Sequence, residues 1–424
     1  MYLKKFLNSD KAYAFANLIY ASANAISSLL IVNFFGLRLY GYLSYYNSID
    51  LFIDYFGGYS RSTFEYASAE TKDRIKIINS FAVLQIMLGI ISLLFFLILS
   101  FFQQDSTAIK VCQAFIFLSP GKSYINFFRI LSKVTGSLKW FTYTILFLSI
   151  SNVTIAILSN FYFDFFIYLI LRCFLIIFSC FILFNFYSIS VNHLYDKLAL
   201  TVKELKTKSK TLLIYSLISL SVIAIDKILI KHFFGVDILG VYSLAFLAYN
   251  MFFIFGGSLI GGNFKVLTNC LSNNYIKVLN NSILWVIWLM LAAEIFILAL
   301  IDYPIFSIYK ESIPYIIWFL PASILSLFIQ IAYIFLISKK YLYRFNKSFF
   351  YISFAYLISG ISLSIYNDNC IWFAYLFIIY QMFTVLILAL KFSFLGNVFK
   401  QSFTHTKILI FGLVIFQILF SYLI

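Results

Sequence analysis

The sequence predicts an all-α integral membrane protein of about twelve transmembrane helices, in two six-helix pseudo-symmetric lobes around a central cavity. Three observations predict it. Of the 424 residues 63% are hydrophobic and only 11% charged, against roughly 45 to 50% and about 25% in a typical soluble domain. Apolar runs of spanning length recur along the whole chain. One segment of the first half also reappears in the second.

A helix needs about 20 apolar residues to cross the hydrocarbon core, and lipid tolerates no unpaired backbone, so each long run must be helical. Breaks at polar or charged clusters bound twelve spans: 11–35, 39–64, 77–101, 109–132, 140–160, 163–189, 211–234, 240–264, 278–301, 314–337, 348–366 and 370–390. The first follows Lys4 and Lys5, and Ala21-Ser22-Ala23 mimics a signal-peptidase site. The apolar run continues to Phe35, however, as a retained helix would. A further run, 408–424, is just long enough to form a thirteenth span, or else lies in the interface or on the bundle. The expected organisation is a lobe over 1–190, a basic linker over 191–210, a lobe over 211–391 and a tail over 392–424.

Charge sets the orientation. The ends at 1–11, 65–76, 132–139, 190–210, 265–277, 338–347 and 391–407 hold 22 Lys and Arg, whereas the opposite ends hold only Arg38, Lys110 and Lys310. By the positive-inside rule the N-terminus is cytoplasmic. The net charge of +15 would suit nucleic acid only on a contiguous basic surface, which the apolar runs interrupt. Cys112, Cys173, Cys180, Cys270 and Cys370 are odd in number and scattered, so they read as packing residues. His193, His232 and His405 suggest neither a metal nor a catalytic base, and no cofactor is implied.

The repeat is gapless. Leu29 to Gly58 aligns on Ile228 to Gly257 at an offset of 199 with ten identities in thirty, sharing Phe-Phe-Gly, a Gly five residues later and a closing Phe-Gly-Gly. At an offset of 201, Lys76, Asn79 and Pro120 match Lys277, Asn280 and Pro321. Six spans is an even number, so both halves enter the membrane the same way. Transporters with such parallel repeats bind substrate between the halves and expose it alternately. Gly256, Gly257, Gly261 and Gly262 fall in a span and read as a site of close helix packing.

Ten charges fall at least three residues inside a span: Arg61, Lys122, Arg129, Arg172, Lys227 and Lys231, with Asp50, Asp54, Asp226 and Glu294. Each costs about 2.5 to 3.5 kcal/mol at a helix centre, so they must face protein or water. Asp50, Asp54, Arg61 and Glu65 form one helical stripe, and Lys122, Asn126, Arg129 and Lys133 form another. The six cations are candidates to bind an anionic ligand, for which Arg offers a bidentate fork and Lys a point charge. The four acids are candidates to couple a proton or sodium ion. The competing reading is internal pairing, such as Asp54 with Arg61 or Asp226 with a lysine. Arg61, Arg129 and Lys231 could also snorkel to the interface.

With Phe34 to Gly41 (Phe-Phe-Gly-Leu-Arg-Leu-Tyr-Gly) closing the first span, and Ile225-Asp226-Lys227 running into Phe234 to Ser243 in the second half, the chain resembles the Wzx-type polysaccharide (O-antigen) flippases. These belong to the multidrug/oligosaccharidyl-lipid/polysaccharide (MOP) exporter superfamily. The resemblance implies a multi-pass protein of the bacterial inner membrane that moves undecaprenyl-diphosphate-linked oligosaccharide to the outer leaflet. It also implies a cationic cavity, alternating access, ion coupling, and contacts with polysaccharide polymerase and chain-length machinery. It implies no enzymatic step. One rival is a multidrug or cation antiporter of the same superfamily, which should favour acidic or aromatic groups. The other is a membrane polysaccharide polymerase or glycosyltransferase, which should have a large outer loop.

Overall fold

Two proline-bearing helices organise the fold. The structure, a computed structural model, describes residues 10–54, 74–135, 138–162, 164–187, 222, 224–261, 263, 267, 272–300, 309–339, 341–367 and 369–407, and every long element among them is helical. The chain divides into two compact units, Met1–Ala224 and Ile225–Ile424.

The first unit contains α1 (Asp10–Phe35), α2 (Leu37–Ile53), α3 (Arg74–Phe101), α4 (Ser106–Thr135), α5 (Leu138–Tyr162) and α6 (Phe165–Tyr187). Pro120 lies inside α4. This helix packs on α2, α3, α5 and α6, while α1 packs on α2 and α5. After α7 (residues 224–234), the second unit has α8 (Val236–Gly261), α9 (Ser272–Leu300), α10 (Ile313–Ser338), α11 (Leu342–Tyr366) and α12 (Ile371–Lys391). Pro321 lies inside α10, which packs on α8, α9, α11 and α12. The pairings α2–α4, α3–α4, α4–α6 and α5–α6 thus recur as α8–α10, α9–α10, α10–α12 and α11–α12. The 199-residue repeat is therefore a repeat of packing as well as of sequence.

Among the described residues nine helices are long and apolar enough to cross a membrane: α1, α3, α5, α6 and α8 to α12. The chain is a multi-pass membrane protein. In α3 the exposed side chains Met87, Ile90, Ile91, Leu94 and Ile98 recur at helical spacing, opposite the buried Phe81 and Phe96. Such an outward apolar stripe suits lipid, where a soluble protein would place polar groups.

Glycines set several approaches between helices. A methyl at Gly256 or Gly257 would collide with Leu327 or Gln330 of α10, which is why α8 and α10 can lie so close. Gly121, beside Pro120, leaves the space that Ile176 of α6 fills. The described cysteines Cys112, Cys173, Cys180 and Cys370 are buried and free.

One expectation lies partly outside the described residues and one needs adjustment. The span expected over 39–64 is described as helix only to Ile53, with Asp54 as its C-cap; Arg61 lies outside the described residues. The stretch 391–407, read as a connection because of its three lysines, is helical over 393–407 (α13). Its pattern explains this. Leu395, Val398, Phe399, Ser402 and Thr406 are buried along one face, with Lys400, Gln401, Thr404 and Lys407 exposed on the other. Phe394 stacks on Phe335 at 4.7 Å between centroids, and Phe399 meets Phe328 edge-on at 5.2 Å. The run 408–424 lies outside the described residues.

Candidate functional site

The first unit assembles its buried charge at the junction of α2, α3 and α4. Asp50 and Asp54 lie one turn apart on α2 and face α4 across two serines. Ser119 Oγ donates to Asp50 Oδ1. Since its proton is committed there, the short contact between Ser92 and Ser119 must have Ser92 as donor. One turn along, Ser123 Oγ donates to Asp54 Oδ1 at 2.7 Å and accepts from Gln85 Nε2. Two parallel relays, Ser92–Ser119–Asp50 and Gln85–Ser123–Asp54, therefore run from α3 through α4 to α2. The Oε1 of Gln85 is buried with no partner.

Lys122 of α4 reaches the same place. Its Nζ donates to Asn47 Oδ1 at 2.5 Å, lies 3.5 Å from Asp50 Oδ2 and sits 4.6 Å from the centroid of the Phe115 ring. The lysine read from sequence as part of a purely cationic stripe thus has an acid on a neighbouring helix. Of the rest of that stripe, Arg129 is exposed and donates to Asn126 of its own helix.

Arg172 is held differently. It lies about 10 Å into α6, at 1.5 Å per residue, and its Nη1 donates to the Tyr168 hydroxyl at 3.4 Å. Its Nε is buried and has no hydrogen-bond partner. Among the described residues no carboxylate pairs with it. Lys122 is near enough for the two positive charges to repel. A guanidinium carries five N–H donors, so most of its capacity is unspent.

The second unit holds Asp226 and Lys227 on α7. Asp226 is fully buried, accepting from the Tyr242 hydroxyl and from the Lys227 backbone N–H at 2.7 Å. Lys227 Nζ lies 3.9 Å from the Phe246 ring centroid, a favourable cation–π position. Lys231 is half-buried one turn further on. Glu294 falls on α9, but its side chain, like all of Arg61, lies outside the described residues.

The two units differ at matched positions. At the repeat offsets, Asp50, Asp54 and Lys122 correspond to Tyr249, Phe253 and Ser323. Tyr249 bonds to Ser326 at 2.8 Å and packs with Phe246, Phe319 and Phe377. The charged junction of the first unit is an aromatic core in the second. Sequence reasoning found the carboxylates and Lys122 by their cost in lipid. It missed Asn47, Gln85, Ser92, Ser119 and Ser123, whose neutral side chains carry no such signal.

Solved structures share the fold of this chain. A structure titled "Lipid II flippase MurJ, inward closed conformation" aligns over 97% of this chain and 96% of its own, with a TM-score of 0.59 and 19% identity. A structure of the MATE multidrug transporter DinF-BH aligns over 91% and 95%, with a TM-score of 0.60 and 14% identity. The chain shares the fold of these solved transporter structures. A multidrug resistance MATE family transporter of the MOP superfamily, in an inward-facing conformation, aligns over 92% and 96% with a TM-score of 0.57 and 10% identity. No family model and no curated protein sequence matches the chain. At these identities the likeness establishes the fold, and cargo has to be argued from the side chains.

Proposed function

We propose that this protein is a flippase for undecaprenyl-diphosphate-linked oligosaccharide repeat units. It would carry them by alternating access from the cytoplasmic to the periplasmic leaflet of a bacterial inner membrane, for surface polysaccharide synthesis. The observation that carries the reading is Arg172, a guanidinium inside a membrane helix bundle with a buried, unpartnered Nε and, among the described residues, no carboxylate partner. An uncompensated cation there is costly, and a ligand phosphate would both neutralise it and match its donor geometry. Lys122, in the same unit, is a further cation offered to the head group, and the polyprenyl tail stays in lipid. A solved lipid II flippase of the same fold accords with a lipid-linked cargo. No covalent step is needed, so the protein is not read as an enzyme.

The rival antiporter of cationic drugs would need buried carboxylates available to its cargo. Asp50 is matched by Lys122 and Ser119, and Asp226 by Tyr242 and a backbone N–H. Deleting the gene and locating the lipid-linked saccharides tests the proposal. Completed repeat units trapped on the cytoplasmic leaflet are expected. Normal delivery to the outer leaflet would sink the idea.

A further inference from the structure

Lys122 and Asp50 form a stretched pair. The Nζ to Oδ2 distance of 3.5 Å exceeds that of a direct charge-assisted hydrogen bond, about 2.7 to 2.9 Å. The ammonium is instead held by the neutral Asn47 amide at 2.5 Å and by the Phe115 ring. Exposure is unequal too: the Lys122 side chain is 26% exposed and that of Asp50 only 9%. The cation is therefore the outward member of the pair. The carboxylate behind it is anchored through Ser119 and Ser92.

We propose that Lys122 is an exchangeable counter-ion: the phosphate of an arriving head group takes the ammonium away from Asp50, and Asp50 then takes up a proton. This rests on the diphosphate reading above and assigns the coupled ion and the group that carries it. Removing one partner of a buried pair leaves an uncompensated charge, and protonation is the remedy that needs no other ion. Before binding, the pair is neutral. Afterwards, the ammonium balances one phosphate charge, Arg172 faces the second and protonated Asp50 is neutral, so no bare carboxylate is left in the bundle; on release the proton leaves and the pair re-forms.

Among the described residues the other charged groups near the pair are Asp54, one turn along α2, and Arg172 of α6, on the side of Lys122. The thiol of Cys173 on α6 also lies within electrostatic reach of Lys122. From α3 the relays bring only the neutral Gln85 and Ser92. Asp54 accepts from Ser123, whereas Asp50 is the carboxylate facing the Lys122 ammonium, so Asp50 is the one left behind when that ammonium moves.

The test uses the full chain in lipid nanodiscs with farnesyl diphosphate as the probe, at a pH where the diphosphate is fully ionised. Calorimetric titrations in two buffers of different ionisation enthalpy count the protons taken up on binding. Wild type should take up about one proton per ligand, whether sodium or choline is the bulk cation. D50N should still bind with the uptake abolished, and K122Q should bind about tenfold or more weakly. Binding without proton uptake in wild type, uptake unchanged in D50N, or uptake lost in D54N instead of D50N would each overturn the exchange while leaving the diphosphate reading intact. No binding to wild type would overturn both.

Discussion

Gly36 and Gly235, 199 residues apart, both take a positive φ, 86° and 91°. Each follows Phe-Phe and breaks one helix from the next. At Gly36, ψ of 167° completes a region open essentially to glycine alone. A Cβ at either position would meet nothing within 4 Å, so the cost of substitution is in the backbone and not in packing. G36A and G235A should each destabilise by about 1 to 3 kcal/mol. Thermal unfolding in detergent checks this, and the two shifts should be similar. A large loss at one site and none at the other would mean that the two breaks are not equivalent.

These glycines were legible because Gly is scarce in the chain and its spacing survives where apolar residues drift. Pro120 and Pro321 were legible for the same reason. Asp50, Asp54 and Lys122 were legible as charges that cannot face lipid, and helical spacing put both acids on one side of α2. The partner of Lys122 was not legible. Spacing assigns a residue to a face of its own helix but does not reveal which helix that face meets, and here it meets α2. The serine relays were hidden for another reason, since Ser92, Ser119 and Ser123 look like ordinary small residues of a membrane helix. Lys400 and Lys407 give a topology signal when charge alone is followed along 391–407, whereas the buried 395, 398, 402 and 406 positions carry the helical period.

If Arg172 exists for an anionic ligand, it should contribute nothing to stability. Replacing it with Met removes a half-buried cation whose insertion cost is about 2.5 to 3.5 kcal/mol at a helix centre, and leaves Tyr168 one weak hydrogen bond poorer. R172M should therefore melt at the wild-type temperature or above while surface polysaccharide falls about tenfold or more, as expected on losing a charge-assisted contact. R172K, which keeps the charge but lacks the planar fork, should restore part of the export. Unfolding of R172M, or full export by it, would show that the guanidinium has a structural task or none.

Away from the buried pair, α2 and α4 are also held together through Asp105. This residue, just before α4, accepts from the Tyr42 hydroxyl of α2 at 2.7 Å and pairs with Arg38 at 3.2 Å. It also caps α4 by accepting from the N–H groups of Thr107 at 2.7 Å and Ala108 at 3.3 Å. Chiefly the Tyr42 hydrogen bond, with those N–H groups and the Arg38 charge, holds its carboxyl below the ordinary value of 3.8. A carboxyl with a lowered folded-state value stabilises fully above the ordinary range and loses that stabilisation as pH falls through the lowered one. D105A should cost about 0.5 to 2 kcal/mol for the cap, and R38A no more than about 1 kcal/mol because the Arg38 side chain is 63% exposed. D105N can still cap, so it isolates the charge: its deficit against wild type should be present at neutral pH, shrink at high salt and close only below pH 3.8. Melting curves across that range decide it, and a deficit that persists in acid would mean that the shape of Asp105, and not its charge, ties the helix of Asp50 to the helix of Lys122.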